Sequence, residues 1–302
     1  MLKGGSPEVE TASVFVTAPD GLQLHVRCYG PRLAPSIPVV CLPGLTRTVA
    51  DFEELATTLA ANSETPRRVL ALDSRGRGLS GRDRDPHNYN LATELTDLRA
   101  VLTALDVQPA VFVGTSRGGL LTMLLAVAQP TAIAGAVLND IGPVIEPKGL
   151  ARIKSYVGKL PQPKSFEEGA DIFRRLFGPH FTGFSDADWL AYSRRSFKVE
   201  QHRLVPTYDV RIAKTMEDID FDQPLAPMWG AFDGLGRVPL MVLRGENSDL
   251  LSEATVAAMR ARRPSMELIT VPKQGHAPVL DNAGLLERIG AFVTACEPTR
   301  MK

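Results

Sequence analysis

Apolar and polar positions first follow one another in a two-residue rhythm, then in short solid blocks. Val14-Phe-Val-Thr17 and Leu22-Gln-Leu-His-Val-Arg27 flank Ala18-Pro-Asp-Gly21. The second of these runs alternates apolar and polar, so the pair predicts a β-hairpin closed by a Pro-Asp-Gly turn. Four short blocks follow, Pro38–Leu42, Val69–Asp73, Ala110–Val113 and Ile133–Leu138. A strand that is apolar on both faces belongs in a parallel sheet covered by helices on each side. Ala50–Asn62 and Leu91–Leu105 lie between the blocks and carry apolar residues at helical spacing. Antiparallel strands that lead into βαβα units make an α/β fold with a mixed, mostly parallel sheet of about eight strands.

The alternation stops near Gly142-Pro143 and resumes with the strand Val238–Leu243, a helix over Ala254–Arg262, the strand Met266–Val271 and a last helix over Ala283–Ala295. The interruption reads differently. Phe166, Ala170, Phe173 and Phe177 recur on one face of a helix, and 13 of the chain's 19 aromatic residues fall between 143 and 232. The expected organisation is a sheet domain built from 1–142 and 233–302, with 143–232 inserted as a helical cap. The cap aromatics serve its own small core, an apolar substrate pocket, or both.

Composition narrows the functional classes. The 302 residues carry 34 Lys+Arg against 34 Asp+Glu, a net charge of zero, which speaks against nucleic-acid or anionic-membrane partners. Three cysteines, Cys28, Cys41 and Cys296, lie far apart without a CxxC pair, so a disulfide scaffold or cysteine zinc site is not expected and a reducing cytoplasm is. No run of 18 apolar residues and no signal-like start is visible. Nothing in the pattern asks for more than a monomer or homodimer.

The chemistry concentrates in Gly114-Thr-Ser-Arg-Gly118, directly after the block Val111–Val113 and before a helix-like run from Gly119. A serine on a tight strand-to-helix turn is lifted out of the sheet edge and lies at a helix N-terminus, where unpaired amides favour negative charge. Serine needs a base to become a nucleophile at neutral pH. Of the five histidines, His276 follows a strand in Val271-Pro-Lys-Gln-Gly-His276, at the sheet edge where α/β active sites form. For the carboxylate that orients it, Asp249 in Leu243-Arg-Gly-Glu-Asn-Ser-Asp249 is the leading candidate, giving the chain order Ser116, Asp249, His276. Asp140, after the block ending at Leu138, and Glu246 are the alternatives. Gly76-Arg-Gly-Leu-Ser-Gly81 matches the dinucleotide fingerprint, but a charged, proline-broken stretch follows where that fingerprint needs a helix. No metal-ligand spacing is present and no cofactor is implied.

Together with Leu42-Pro-Gly-Leu45 and Asp73-Ser-Arg-Gly-Arg-Gly-Leu-Ser80, these motifs make the chain resemble the α/β-hydrolase fold superfamily, in its branch with a helical cap after the sixth strand. The resemblance runs from about Val14 to the final helix and leaves only the cap without a motif. It implies an oxyanion hole from the backbone N–H groups of Leu45 and Arg117. Leu42-Pro43 stands where the family usually has a histidine before the glycine. The implied activity is hydrolysis of small to medium carboxylic esters through an acyl-enzyme. C–C bond hydrolysis of vinylogous diketo acids, lactone hydrolysis, and a ligand-binding receptor on the same fold are the alternatives. Relatives that cleave haloalkanes or epoxides use aspartate where this chain has Ser116. Arg47 and Arg117 either pair with acids near the sheet edge or clamp a substrate carboxylate.

Overall fold

The computed structural model describes residues 9–217, 219 and 225–298. The chain opens with the hairpin β1 (Thr11–Thr17) and β2 (Gln23–Tyr29), followed by β3 (Val39–Leu42), α1 (Glu53–Ala60), β4 (Val69–Leu72), α2 (Leu91–Leu105), β5 (Ala110–Thr115), α3 (Arg117–Ala128) and β6 (Ile133–Asn139). A helical segment then intervenes: α4 (Pro147–Tyr156), α5 (Phe166–Phe177), α6 (Asp186–Ser196), the hairpin β7 (Phe197–Glu200) and β8 (Arg203–Pro206), and the short α7 (Trp229–Gly234). The alternation closes with β9 (Leu240–Gly245), α8 (Glu253–Arg262), β10 (Glu267–Val271) and α9 (Ala283–Ala295).

Eight strands form one sheet in the order β1-β2-β4-β3-β5-β6-β9-β10. Only the β1/β2 and β2/β4 pairs are antiparallel. The solid apolar blocks have a two-sided explanation. Successive residues of a strand face opposite sides, so Val40, Leu42 and Phe112 enter one core with α2 and α3. Val39, Cys41, Val111 and Val113 enter another with α1 and α9. Both cores are closed to water, which is why no polar position interrupts the runs.

The stripe on α5 packs as its spacing predicts: Ala170, Phe173 and Phe177 are buried with Phe181, Trp189, Phe197 and Leu204 in a third cluster belonging to the intervening segment. The hairpin β7–β8 was not expected there. Its two-residue turn, Gln201-His202, has φ of 48° and 62°, the left-handed pair that hairpins favour and that Asn-Gly usually announces.

The glycine-rich turn after β4 opens no helix. Its loop is stapled by Asp73, whose carboxylate accepts from the Val49 and Leu79 amides at 2.9 and 3.1 Å and from His25 Nδ1 at 2.7 Å. Strand adjacency positions the site. The carboxyl ends of β3, β5, β6 and β9 lie side by side, with Leu42 opposite Gly114, Thr115 opposite Asn139, and Asn139 opposite Leu243. Loops after all four therefore open at one edge.

Candidate active site

Ser116 is the hinge between β5 and α3, with φ 51° and ψ −116°. A non-glycine residue at positive φ is costly and persists only where its surroundings enforce it. The enforcement is visible. A Cβ on Gly114 would come within 2.6 Å of the Gly118 backbone, and one on Gly118 would collide with the Leu42 carbonyl. The turn is thus pressed between β3 and α3 with no room for side chains on either flank. The Ser116 N–H donates to Asn139 O at 3.0 Å, and its carbonyl accepts from Gly119 and Leu120. Backbone is fixed on every side, and the hydroxyl is free to face outward.

That hydroxyl lies 2.8 Å from His276 Nε2, and His276 Nδ1 lies 2.9 Å from Asp140 Oδ2. Asp140, not Asp249, is the carboxylate the fold brings to this histidine, and the sequence expectation is corrected accordingly. Asp140 follows β6 at φ 55° and is fully buried. Its Oδ1 accepts from the Gly245 amide at 2.8 Å, and its Oδ2 also accepts from Ser248 Oγ at 2.6 Å. A carboxylate given these donors has its charge satisfied without Arg or Lys and can be held close to an imidazole.

Asp249 is engaged elsewhere. Arg152 of α4 forks onto it through Nε and Nη2 at 2.6 and 2.7 Å, and His180 Nε2 stands 3.9 Å away. Burial works to raise the Asp249 carboxyl, but the Arg152 bonds prevail and hold it below the usual carboxylate range. Glu246 is directed at the Lys273 amide, 2.7 Å away. β6 and β9 are neighbours in the sheet, so an acid after either strand can reach the same histidine, and spacing alone does not separate them. The deciding contact comes from Arg152, about a hundred residues from Asp249 in the chain, which no local pattern announces.

Leu45 and Arg117 flank Ser116, one after β3 and one at the first position of α3. Arg117 has no carbonyl four residues back within its helix to bond, and neither its N–H nor that of Leu45 has an acceptor among the described residues. A shared anchor holds both. Arg77 Nε donates to Leu45 O at 2.8 Å and Arg77 Nη1 to Glu94 Oε1 at 2.7 Å, while Arg117 Nε donates to Glu94 Oε2 at 2.7 Å. Burial works to raise the Glu94 carboxyl, but the two guanidinium groups keep it below its ordinary range. Glu94 was read only as part of a helix; its burial at a position on α2 facing two arginines was not legible in the pattern.

Arg47 forks onto Asp51 at 2.7 and 2.6 Å, donates through Nη1 to Ser196 Oγ at 2.5 Å, and stacks 4.4 Å over the Tyr192 ring. Both arginines singled out in the sequence are therefore paired with acids. Above Ser116 and His276 lies a narrow cavity of about 80 Å³, walled by Ile153, Leu160, Phe173, Phe177 and Phe197 of the intervening segment and edged by Tyr156 and Tyr192. Among the described residues no cluster of His, Cys, Asp and Glu could hold a metal ion, and no helix is long and apolar enough to cross a membrane.

An eight-stranded, mostly parallel sheet with a strained serine on its central elbow defines an α/β hydrolase. The sequence pattern of the alpha/beta hydrolase family matches residues 39–288, and the chain belongs to that family. It is 32% identical over 278 residues to the 3-hydroxybutyrate-oligomer hydrolase of Cupriavidus necator, covering 87% of this chain and 91% of that one. It is 26% identical over 233 residues to the 2-(acetamidomethylene)succinate hydrolase of Mesorhizobium japonicum, covering 77% and 79%. The crystal structure of an alpha/beta hydrolase from Novosphingobium aromaticivorans superposes with a TM-score of 0.85 at 40% identity, over 95% of this chain and 99% of that one. Hydrolase relatives mark this chain as a hydrolase of the same type.

Proposed function

We propose that the protein is a serine hydrolase of small to medium carboxylic esters, with Ser116 as nucleophile, His276 as general base and acid, and Asp140 as the carboxylate that orients it. The observation that carries this reading is the unbroken chain Ser116 Oγ–His276 Nε2, His276 Nδ1–Asp140 at 2.8 and 2.9 Å beneath an apolar cavity. Ser116 Oγ attacks the ester carbonyl as its proton passes to His276 Nε2. The resulting oxyanion takes hydrogen bonds from the Leu45 and Arg117 N–H groups, each such donor lowering the barrier by about 3 kcal/mol. Collapse expels the alcohol, which receives the proton from His276. Water then repeats the sequence on the acyl-enzyme and restores the serine.

No cofactor enters the cycle. The partner is a small ester met in the cytoplasm, and the segment between β6 and β9 serves as the cap that excludes bulk water. The relative named for 3-hydroxybutyrate oligomers supports an ester, since a hydroxy acid oligomerises through ester bonds. Cleavage of an acidic diketone would want a cation free to fork onto the substrate carboxylate, and the forks of Arg47 and Arg117 already face Asp51 and Glu94. The test is covalent labelling with a fluorophosphonate alongside turnover of p-nitrophenyl esters. Label on Ser116, with turnover lost in Ser116→Ala, supports the proposal. Undiminished turnover in that variant, or cleavage of acidic diketones with no ester accepted, overturns it.

A further inference from the structure

The cavity walls carry large apolar side chains, but at one end two phenols and Arg47 line them, with Arg152 and Arg195 packed nearby. Tyr156, the last residue of α4, packs its ring edge-on against Phe177 at 5.1 Å. Tyr192 on α6 packs against Phe173 at 4.9 Å and lies under Arg47. Both rings are half-buried against the third apolar cluster, and both residues line the cavity above Ser116. Their hydroxyls have no hydrogen-bond partner among the described residues. Tyr208, which also lines the cavity, has its oxygen engaged by the Gly158 amide at 3.0 Å. Neither oxygen is sealed from solvent, so a ligand that fills the cavity desolvates both donors, which is costly unless it offers them an acceptor. Two such donors edging one cavity call for an oxygen on what the cavity holds.

The charges nearby say what sort of oxygen. Arg47 is matched by Asp51 and Arg152 by Asp249, each through a two-point fork. A third guanidinium, Arg195 beside Tyr192, lies 3.7 Å from Asp51 and 3.9 Å from Asp281, so three cations at this end face three carboxylates. A substrate carboxylate here would bring an unmatched negative charge into a desolvated site, whereas a neutral oxygen takes the phenol protons without that cost. Burial pushes the Tyr156 hydroxyl above its ordinary pKa, so it remains a proton donor throughout the neutral range.

We infer that Tyr156 and Tyr192 form a hydroxyl-paired subsite for a second, neutral oxygen of the bound ester, which makes hydroxyacyl or oxygen-bearing alkyl esters the substrate class in place of plain alkanoates or acid-bearing ones. The inference rests on the ester reading given above and names the class of ester within it. The subsite recognises a hydroxyl, ether or ester carbonyl a few bonds from the scissile carbonyl. The apolar walls receive the alkyl part, and a chain without the oxygen leaves both phenols unpaired.

The experiment separates binding from turnover. In a Ser116→Ala background, calorimetry compares ethyl butyrate with ethyl 3-hydroxybutyrate (oxygen on the acyl side), 2-methoxyethyl butyrate (oxygen on the alcohol side) and monoethyl succinate (a carboxylate). At least one neutral oxygen-bearing ester should bind about tenfold or more tightly than ethyl butyrate. That preference should fall roughly 3- to 10-fold in each of Tyr156→Phe and Tyr192→Phe, the scale of one hydrogen bond. The variants keep the ring packing, and an unchanged melting temperature checks this. Equal binding of all neutral esters, a preference that survives both substitutions, or tighter binding of the succinate monoester overturns the subsite. Since turnover plays no part in these measurements, loss of the subsite and loss of the hydrolase reading give different results.

Discussion

Asp140 and Asp249 show how two carboxylates at one sheet edge acquire different tasks. Asp140 is surrounded by neutral donors, the Gly245 amide and Ser248 Oγ, which leave its outer oxygen turned to His276. Asp249 has a guanidinium of its own. Asp140→Asn should therefore lower kcat for p-nitrophenyl butyrate by roughly 10³–10⁴-fold, since an amide at that position favours the wrong tautomer of the histidine. Asp249→Asn should cost far less in kcat. Equal losses in the two variants would mean that Asp140 is not the orienting group. A second Ser–His–Asp chain provides a control. Ser13 Oγ lies 3.0 Å from His25 Nε2, and His25 Nδ1 lies 2.7 Å from Asp73. Ser13, however, is on the edge strand β1 rather than at a helix N-terminus, and Asp73 is occupied in holding two loop amides. Ser13→Ala should retain ester turnover within about twofold, and a fluorophosphonate should leave Ser13 unmodified in the wild-type protein.

At the scale of elements, the Arg152–Asp249 fork fastens α4 to the loop after β9. Gly149 on the same helix lets the contact close, since a Cβ there would come 2.6 Å from the Asp249 carbonyl. Arg152→Met should leave a buried carboxylate unpaired and destabilise the fold by about 3 kcal/mol, read from urea unfolding at pH 7. The pH dependence has a definite sign. Because Asp249 is held below its unfolded value near 3.8, its contribution is fully present above that value and disappears as pH falls through the lower folded one. In Arg152→Met burial acts on Asp249 without the guanidinium and raises its carboxyl, so the wild-type advantage should be largest near pH 7 and shrink as pH falls; an advantage as large at pH 3 as at pH 7 would contradict the pairing. Elements also mark the limit of what the pattern conveyed. The α5 stripe was legible because a helix repeats its contacts every turn. The β7–β8 hairpin was not, because four-residue strands are too short to establish a rhythm and Gln-His is a weak turn signal.

For the whole molecule, the sheet shields two cores that meet only through its backbone. Cys41 is fully buried in the core beside α1 and α9, while Cys28 and Cys296 are each 8% exposed. Burial raises all three thiols, Cys296 to about 11 and Cys41 further, so none offers much thiolate at pH 7. In native buffer with added urea, a thiol reagent should modify Cys41 no faster than global unfolding allows, since opening this core separates central strands from both helices. Modification of Cys41 ahead of the loss of circular dichroism would show that the α1–α9 face detaches on its own. The fold and the Gly114–Gly118 turn that holds Ser116 were legible in the chain because strand blocks and a strand-to-helix elbow are local. The choice between Asp140 and Asp249, the role of Glu94 and the two unpaired phenols were not, because each depends on partners brought together from distant segments.

Glu94 carries a consequence for anyone redesigning the pocket. One carboxylate grips the loop bearing Leu45, through Arg77, and the helix bearing Arg117. The two amides proposed to receive the oxyanion are in that sense yoked: a force on either side is passed to its twin. Exchanging Arg117 for a residue of another size also slackens the far rein at Leu45. Tuning one amide independently of the other first requires a replacement anchor for Arg77.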